Sequence, residues 1–82
     1  MQVHVTFYGI LKQDVGAKHQ TLDLAEEVLT VGGLAALLAD RYPALSDRLA
    51  TVAFAVDDAL VGADYVLHDG ASAALLPPVS GG

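Results

Sequence analysis

Polar and apolar residues alternate from the second position of the chain. In Gln2-Val3-His4-Val5-Thr6-Phe7-Tyr8, Val3, Val5 and Phe7 share one side, and Gln2, His4, Thr6 and Tyr8 share the other. That is the two-residue period of a strand with one buried face. Gly9 interrupts it, and residues 10–18 read as a loop or a short helical turn. Alternation resumes over Gln20–Leu24, with Leu22 and Leu24 inward, so the first two strands pair as a hairpin with a long connection. The period then changes. Val31, Leu34, Leu37, Leu38 and Tyr42 recur at helical spacing, a stripe wide enough to pack on a sheet. Thr30 stands where its hydroxyl accepts from a free N–H of the first turn. Pro43 stops the helix, because it lacks an N–H and disfavours helical backbone in the residue before it. Gly32 and Gly33 each weaken the helix start by up to about 1 kcal/mol relative to Ala, which packing of the leucine stripe must offset.

Past the helix, Val52, Phe54 and Val56 alternate with Ala53 and Ala55 as a third strand. Asp57-Asp58 reads as a turn, Leu60-Val61 as a short fourth strand, Asp69-Gly70 as a second turn, and Ser72–Leu76 as the last strand. Pro77-Pro78 ends pairing, since neither residue donates to a ladder. The order β-β-α-β-β-β predicts an α+β fold, a mixed sheet packed on one main helix in the manner of the ubiquitin-like β-grasp roll. Other small α+β topologies share these elements. Residues 1–76 are expected to form this domain and residues 77–82 a flexible Pro-Pro-Val-Ser-Gly-Gly tail.

Composition narrows what such a domain does. Apolar residues make up 54% of the 82 and charged residues 17%, against a usual charged share of about 25%. A domain of this size buries only about 60% of its surface. The apolar surplus therefore reflects either an alanine-rich composition or a face meant for a partner. Ten acidic residues against four basic ones give a net charge of −6, which argues against nucleic-acid binding. With no cysteine, disulfide scaffolds, thiolate metal sites and a Cys nucleophile are excluded, and a reducing compartment fits. No apolar run approaches the ~20 residues of a membrane span, and no secretory leader is visible. A cytoplasmic protein without a membrane partner is expected.

The side chains offer no catalytic constellation. His4, His19 and His68 are scattered without metal-ligand spacing and read as surface residues. Asp57 and Asp58 are neighbours suited to a turn. Ser46, Ser72 and Ser80 sit in no nucleophile motif, and Gly32-Gly33 lacks the longer pattern and the Lys of a phosphate loop. No metal and no bound cofactor is expected, and the chain alone is not expected to be a catalyst. The end of the sequence, Leu75-Leu76-Pro77-Pro78-Val79-Ser80-Gly81-Gly82, is different. Two prolines stiffen the exit from the strand, and two glycines remove every side chain from the tip, so it can thread a narrow cleft and present one carboxylate. Gly-Gly alone also suits a frayed terminus; after a strand and Pro-Pro, closing a β-grasp pattern, it is a signal.

Through these motifs the sequence resembles the small subunits of molybdopterin synthase, the MoaD family within the ubiquitin-like sulfur carriers. The resemblance spans the whole chain. It is most specific in Asp69-Gly70 and in the last eight residues, with similarity also in Val15-Gly16, Thr30-Val31 and Ala55-Val56-Asp57. It departs at Leu75-Leu76, where aromatics are frequent, and at Asp57, where Asn is common; both bear on interface detail. The resemblance implies that the carboxylate of Gly82, with Gly81 beside it, is adenylated by an E1-like (MoeB-like) enzyme that uses ATP. A persulfide donor then supplies sulfur, and the resulting thiocarboxylate donates it to cyclic pyranopterin monophosphate. The large (MoaE-like) subunit of a heterotetrameric synthase binds that substrate and supplies the catalytic side chains. Thiazole-pathway carriers of thiamine biosynthesis and ubiquitin-like protein modifiers are the alternatives. Tyr8 on the outward face of the first strand, Leu60 after the Asp57-Asp58 turn and Leu76 at the end of the last strand are expected to form an apolar docking patch at the tail root, joined in partner binding by Pro77, Pro78, Val79 and Ser80. The competing expectation is that the three apolar residues cap the core.

Overall fold

The alternation at the N-terminus builds strand β1, Gln2–Phe7, whose Val3, Val5 and Phe7 are completely buried while Gln2 and His4 are exposed. The computed structural model describes residues 1–78. Along it follow helix α1 (Ile10–Val15), β2 (His19–Asp23), β3 (Leu29–Thr30), helix α2 (Val31–Arg41), a 3-10 turn (Pro43–Leu45), β4 (Ala53–Val56), β5 (Ala59–Val61), β6 (Val66–Leu67) and β7 (Ala71–Leu76). Five strands form one sheet in the order β2-β1-β7-β4-β5. β1 and β7 run parallel at its centre and every other pair is antiparallel. The sheet is therefore mixed, and α2 lies across one face, as expected for a β-grasp roll.

The core is the contact between that face and α2. β7 contributes Ala71, Ala73 and Leu75, and β4 contributes Phe54 and Val56. From α2 come Val31, Leu34 and Leu38, with Leu45 from the 3-10 turn. Each fully buried Leu, Val or Phe stabilises the fold by roughly 1.5–3 kcal/mol relative to an exposed one. Phe7 meets Tyr42 edge to face, with ring centroids 6.0 Å apart, a geometry that aligns the positive ring edge with the negative ring face. Leu37, a member of the predicted stripe, is only half-buried at the border of this contact.

Helix α2 begins as expected: the Thr30 hydroxyl accepts from the Gly33 N–H at 3.1 Å. The two glycines that weaken this start have a packing reason. A Cβ on Gly33 would come within 2.6 Å of Leu29 Cδ1, and one on Gly32 within 3.2 Å of the Ala63 carbonyl oxygen. The Gly32 N–H donates to that same carbonyl at 2.8 Å. Bare glycines thus let the 62–65 loop and β3 close over the helix start.

Several boundaries differ from the sequence reading. The segment after Gly9 is a true helix, α1, in which Leu11 is fully buried and Gly16 forms a left-handed C-cap at φ 84°. β3 and β6 pair as a separate two-stranded ribbon, Leu29 opposite Leu67 and Thr30 opposite Val66, which extends the element order beyond β-β-α-β-β-β. β1 stops at Phe7, so Tyr8 lies just past it. β2 is shifted back by one residue, leaving Leu24 half-buried outside it. Val52 likewise precedes β4 and is half-buried.

Candidate functional site

The outer face of the sheet, away from α2, is read row by row from the strand registers. One row runs His19, Thr6, Ala74, Ala55, Leu60 across β2, β1, β7, β4 and β5. A second runs Thr21, His4, Ser72, and a third pairs Leu76 with Ala53. The face is polar on β2 and β1. There His4 Nδ1 lies 3.1 Å from Thr21 Oγ1, and His19 Nδ1 lies 3.1 Å from Thr6 Oγ1. From β7 to β5 the same face is apolar toward the Leu76 end, while Ser72 keeps it polar beside the Asp57-Asp58 turn.

Tyr8, Leu60 and Leu76 all belong to this outward side. Leu60 is 72% exposed and Tyr8 42%, whereas Leu76 is half-buried. None of the three is in the core cluster of the described residues. Lys18 places its ammonium 5.6 Å from the centre of the Tyr8 ring, a cation–π contact at the border of the two halves. Next to the patch, an apolar cleft of about 380 Å³ passes around the β5 edge toward α2, lined by Val31, Leu49, Val52, Phe54 and Leu60. Leu60 is thus common to the outer face and the cleft.

The tail root forms where β7 ends. The Tyr8 N–H donates to the Leu75 carbonyl at 3.4 Å as the final rung between β1 and β7. Pro77 is half-buried and Pro78 exposed. The remaining residues singled out in the sequence, Val79, Ser80, Gly81 and Gly82, lie outside the described residues.

At the opposite end of the sheet the structure brings together residues that sequence reasoning kept apart. Asp57 and Asp58 form the tight β4–β5 turn with φ of 50° and 71°, the paired positive values of a type I′ hairpin turn. Asp57 serves structure there. Its N–H donates to the Ser72 carbonyl at 3.0 Å and its Oδ1 accepts from the Ser72 N–H at 3.3 Å. Its Oδ2 accepts from His68 Nε2 at 2.8 Å, while His68 Nδ1 donates to the Asp69 carbonyl at 3.0 Å. Both imidazole nitrogens therefore face acceptors, an arrangement that suits the doubly protonated ring. The hydrogen bond to Asp57 raises the His68 pKa above its ordinary value, helped by the Asp69 carbonyl. The same bond, with that from Ser72, holds the Asp57 carboxyl below the usual range. Asp69 Oδ1 accepts from the Gln2 N–H at 2.6 Å. This end is a hydrogen-bonded staple. The only sequence signal for it was an Asp at a turn position that Asn also fills. Among the described residues no group of three or more His, Cys, Asp or Glu is placed to hold a metal ion, and no helix is long and apolar enough to cross a membrane.

Comparison with known proteins agrees with this geometry. The pattern of the ThiS family matches residues 5–82. A molybdopterin synthase sulfur carrier subunit from Chlamydomonas reinhardtii is 32% identical, with both chains covered completely. Among solved structures, SAMP1 from Haloferax volcanii superposes with a TM-score of 0.88 at 22% identity over the whole of both chains, a likeness of fold. Subunit 1 in the complex of subunits 1 and 2 of the molybdopterin-converting factor from Helicobacter pylori gives a TM-score of 0.73 at 30% identity, again over all of both chains. This chain belongs to the ThiS family of ubiquitin-like sulfur carriers, alongside the small subunits of molybdopterin synthase.

Proposed function

We propose that the chain carries sulfur as a thiocarboxylate on Gly82 and delivers it in molybdopterin formation. The observation that carries this reading is the position of the apolar half of the outer face. Leu76 sits on that half and is followed directly by Pro77-Pro78 and the Gly81-Gly82 end, in a chain whose described side chains form no catalytic cluster. A protein that supplies a grip and a reactive terminus, and leaves the catalysis to others, is a co-substrate.

The chemistry follows from the reactivity of a carboxylate. Oxide is a poor leaving group, so a Gly82 oxygen first attacks the α-phosphorus of ATP on an E1-like enzyme, and pyrophosphate leaves. The outer sulfur of a persulfide donor then attacks the acyl carbon of the adenylate and AMP leaves. A thiol cleaves the resulting acyl disulfide, which releases the thiocarboxylate and a donor disulfide. The thiocarboxylate sulfur is ionised and nucleophilic at neutral pH; it adds to an electrophilic carbon of cyclic pyranopterin monophosphate held by the large subunit, and the oxygen it replaces leaves that carbon with a proton. Hydrolysis of the acyl–sulfur bond returns the Gly82 carboxylate. In this chain Tyr8, Leu60 and Leu76 hold the partner by excluding water, and Pro77, Pro78, Val79 and Ser80 lead the terminus to its active site. ATP is consumed by the adenylating enzyme and is not bound by the carrier.

Deletion of Gly82 tests the reading. The shortened chain is expected to keep the thermal transition of the full chain, since the described core runs from Val3 to Leu75, and to lose all sulfur transfer to the pterin precursor. Transfer that survives the deletion would contradict the proposal.

A further inference from the structure

Gly9 has a backbone that other residues avoid, with φ 58° and ψ −132°. An L side chain is strained at that φ, and glycine is not. A position of this kind between a strand and a six-residue helix calls for a reason, and the neighbouring chain supplies one. In the parallel pairing Phe7 is opposite Leu75. One step further sets Tyr8 opposite Leu76, and the next sets Gly9 opposite Pro77. Pro77 has no N–H, so the ladder cannot continue there. Its ring lies against the bare backbone of Gly9 instead: a Cβ on Gly9 would be 3.1 Å from Pro77 Cγ, the one atom within 4 Å among the described residues other than its chain neighbours. The platform is fixed from behind, because the Tyr8 and Gly9 carbonyls accept from the Leu11 and Lys12 N–H groups at 3.1 and 3.2 Å.

We infer that Gly9 is a positioning residue for the reactive tail: its bare α-carbon seats the Pro77 ring and so sets the line on which the chain leaves the sheet. The inference rests on the carrier reading and deepens it. The outer face supplies grip, and the seat supplies aim. A Cβ at position 9 would press on Pro77 Cγ, so that the ring must give by a few tenths of an ångström. A displacement on the order of 1 Å at a reacting group lowers a rate by about a hundredfold, and a shift of a few tenths of that by less.

The test measures pyrophosphate release when the full-length chain is offered with ATP to an E1-like adenylating enzyme, for the unsubstituted chain, Gly9→Ala, Pro77→Ala and the double variant. For Gly9→Ala, kcat is expected to fall, by less than the roughly hundredfold that a 1 Å misplacement costs, with KM unchanged because the docking face is intact. Pro77→Ala is expected to lower kcat as well, and the double variant to be no slower than the slower single one, since both act through one contact. An unchanged kcat in Gly9→Ala would overturn the inference, as would losses that multiply in the double variant. So would a loss confined to KM and accompanied by a lower melting temperature, which is the mark of a merely structural role. Should Gly9→Ala fail to fold, Pro77→Ala decides alone, because it lies beyond the last strand: a reduced kcat supports the seat and an unchanged one overturns it. An unsubstituted chain that releases no pyrophosphate overturns the carrier reading itself, a failure visible before any variant is compared.

Discussion

On β2 and β1 the outer face of the sheet carries imidazoles and hydroxyls that contact one another, His4 with Thr21 and Thr6 with His19. On β7, β4 and β5 the same face, beyond Ser72 at the start of β7, carries Ala74, Ala55 and Ala53 as a low floor, with Leu76 and Leu60 rising at its edges. Neither half is needed to close the core, which lies on the other side of the sheet. The difference between them is therefore a difference of purpose. The polar half is finished in the isolated chain. The apolar half leaves Leu60 largely in water, and burial against a partner would recover the lost transfer energy at about 25 cal/mol per Å². Small alanines let a partner surface come close, while the larger side chains give it something to hold. The apolar surplus of the composition thus divides into a core and one face that runs into the tail root.

Substitutions on the two halves sharpen this contrast. The largest effect is expected from Leu60→Asp, which sets a carboxylate in the apolar half. Affinity for the synthase large subunit, measured by titration calorimetry, should drop by about 2 kcal/mol, roughly 30-fold in Kd. Stability should stay within about 0.5 kcal/mol because the site is exposed. Undiminished affinity would erase the distinction between the halves. Tyr8→Ala is expected to cost less, about 1 kcal/mol of binding, because Tyr8 stands at the border and is already partly covered by Lys18. Thr6→Ala, in the polar half, breaks the contact with His19 and should change stability by no more than about 0.5 kcal/mol, with binding unaltered. A binding loss there as large as that of Leu60→Asp would extend the docking surface across the whole face.

The smallest effect concerns the stapled end, far from the tail. His68 has a raised pKa, so its contribution is complete below about pH 6.5 and is lost as pH rises through the raised value. Asp57 has a lowered pKa, so its contribution is complete above its ordinary value and is lost as pH falls through the lowered one. The staple is at full strength between these limits. In an NMR titration the His68 imidazole should titrate above its ordinary value, and Asp57→Asn should move it down toward that value, with the Asp69 carbonyl still holding it up and partner affinity unchanged. A His68 titration that Asp57→Asn does not move would remove the staple from the account.

Much of this architecture is legible in the residues, and the parts that are not have physical reasons. The alternation in β1 and β7, the Thr30 cap and the Asp57-Asp58 and Asp69-Gly70 turns follow from local rules of period and turn chemistry. β3 and β6 do not, because two residues carry no period; their pairing depends on glycines at 32 and 33 that let the 62–65 loop approach. Helix α1 starts at Gly9 without a side-chain cap, and its six residues hold too few apolar positions to show a stripe. Strand parity was enough to place Tyr8 on the outward side of β1 and Leu76 with Ser72 and Ala74, whereas the side of Leu60 follows from its pairing with Ala55. The polar and apolar halves emerged only once the strand order was known, since β7 comes last in sequence and lies in the middle of the sheet. The His68–Asp57 contact needed the same knowledge, because it joins two turns that meet only when β4 and β7 pair.

The central claim is that Gly82 is the chemically active group of this chain. Its most direct test is the intact mass of the full-length chain after incubation with an E1-like adenylating enzyme, ATP and a persulfide donor. The account predicts the gain of one sulfur in place of one oxygen, localised to Gly82 by fragmentation and lost again when the large subunit and pterin precursor are added. An unchanged mass, or a lysine-linked adduct in place of the sulfur, would contradict it.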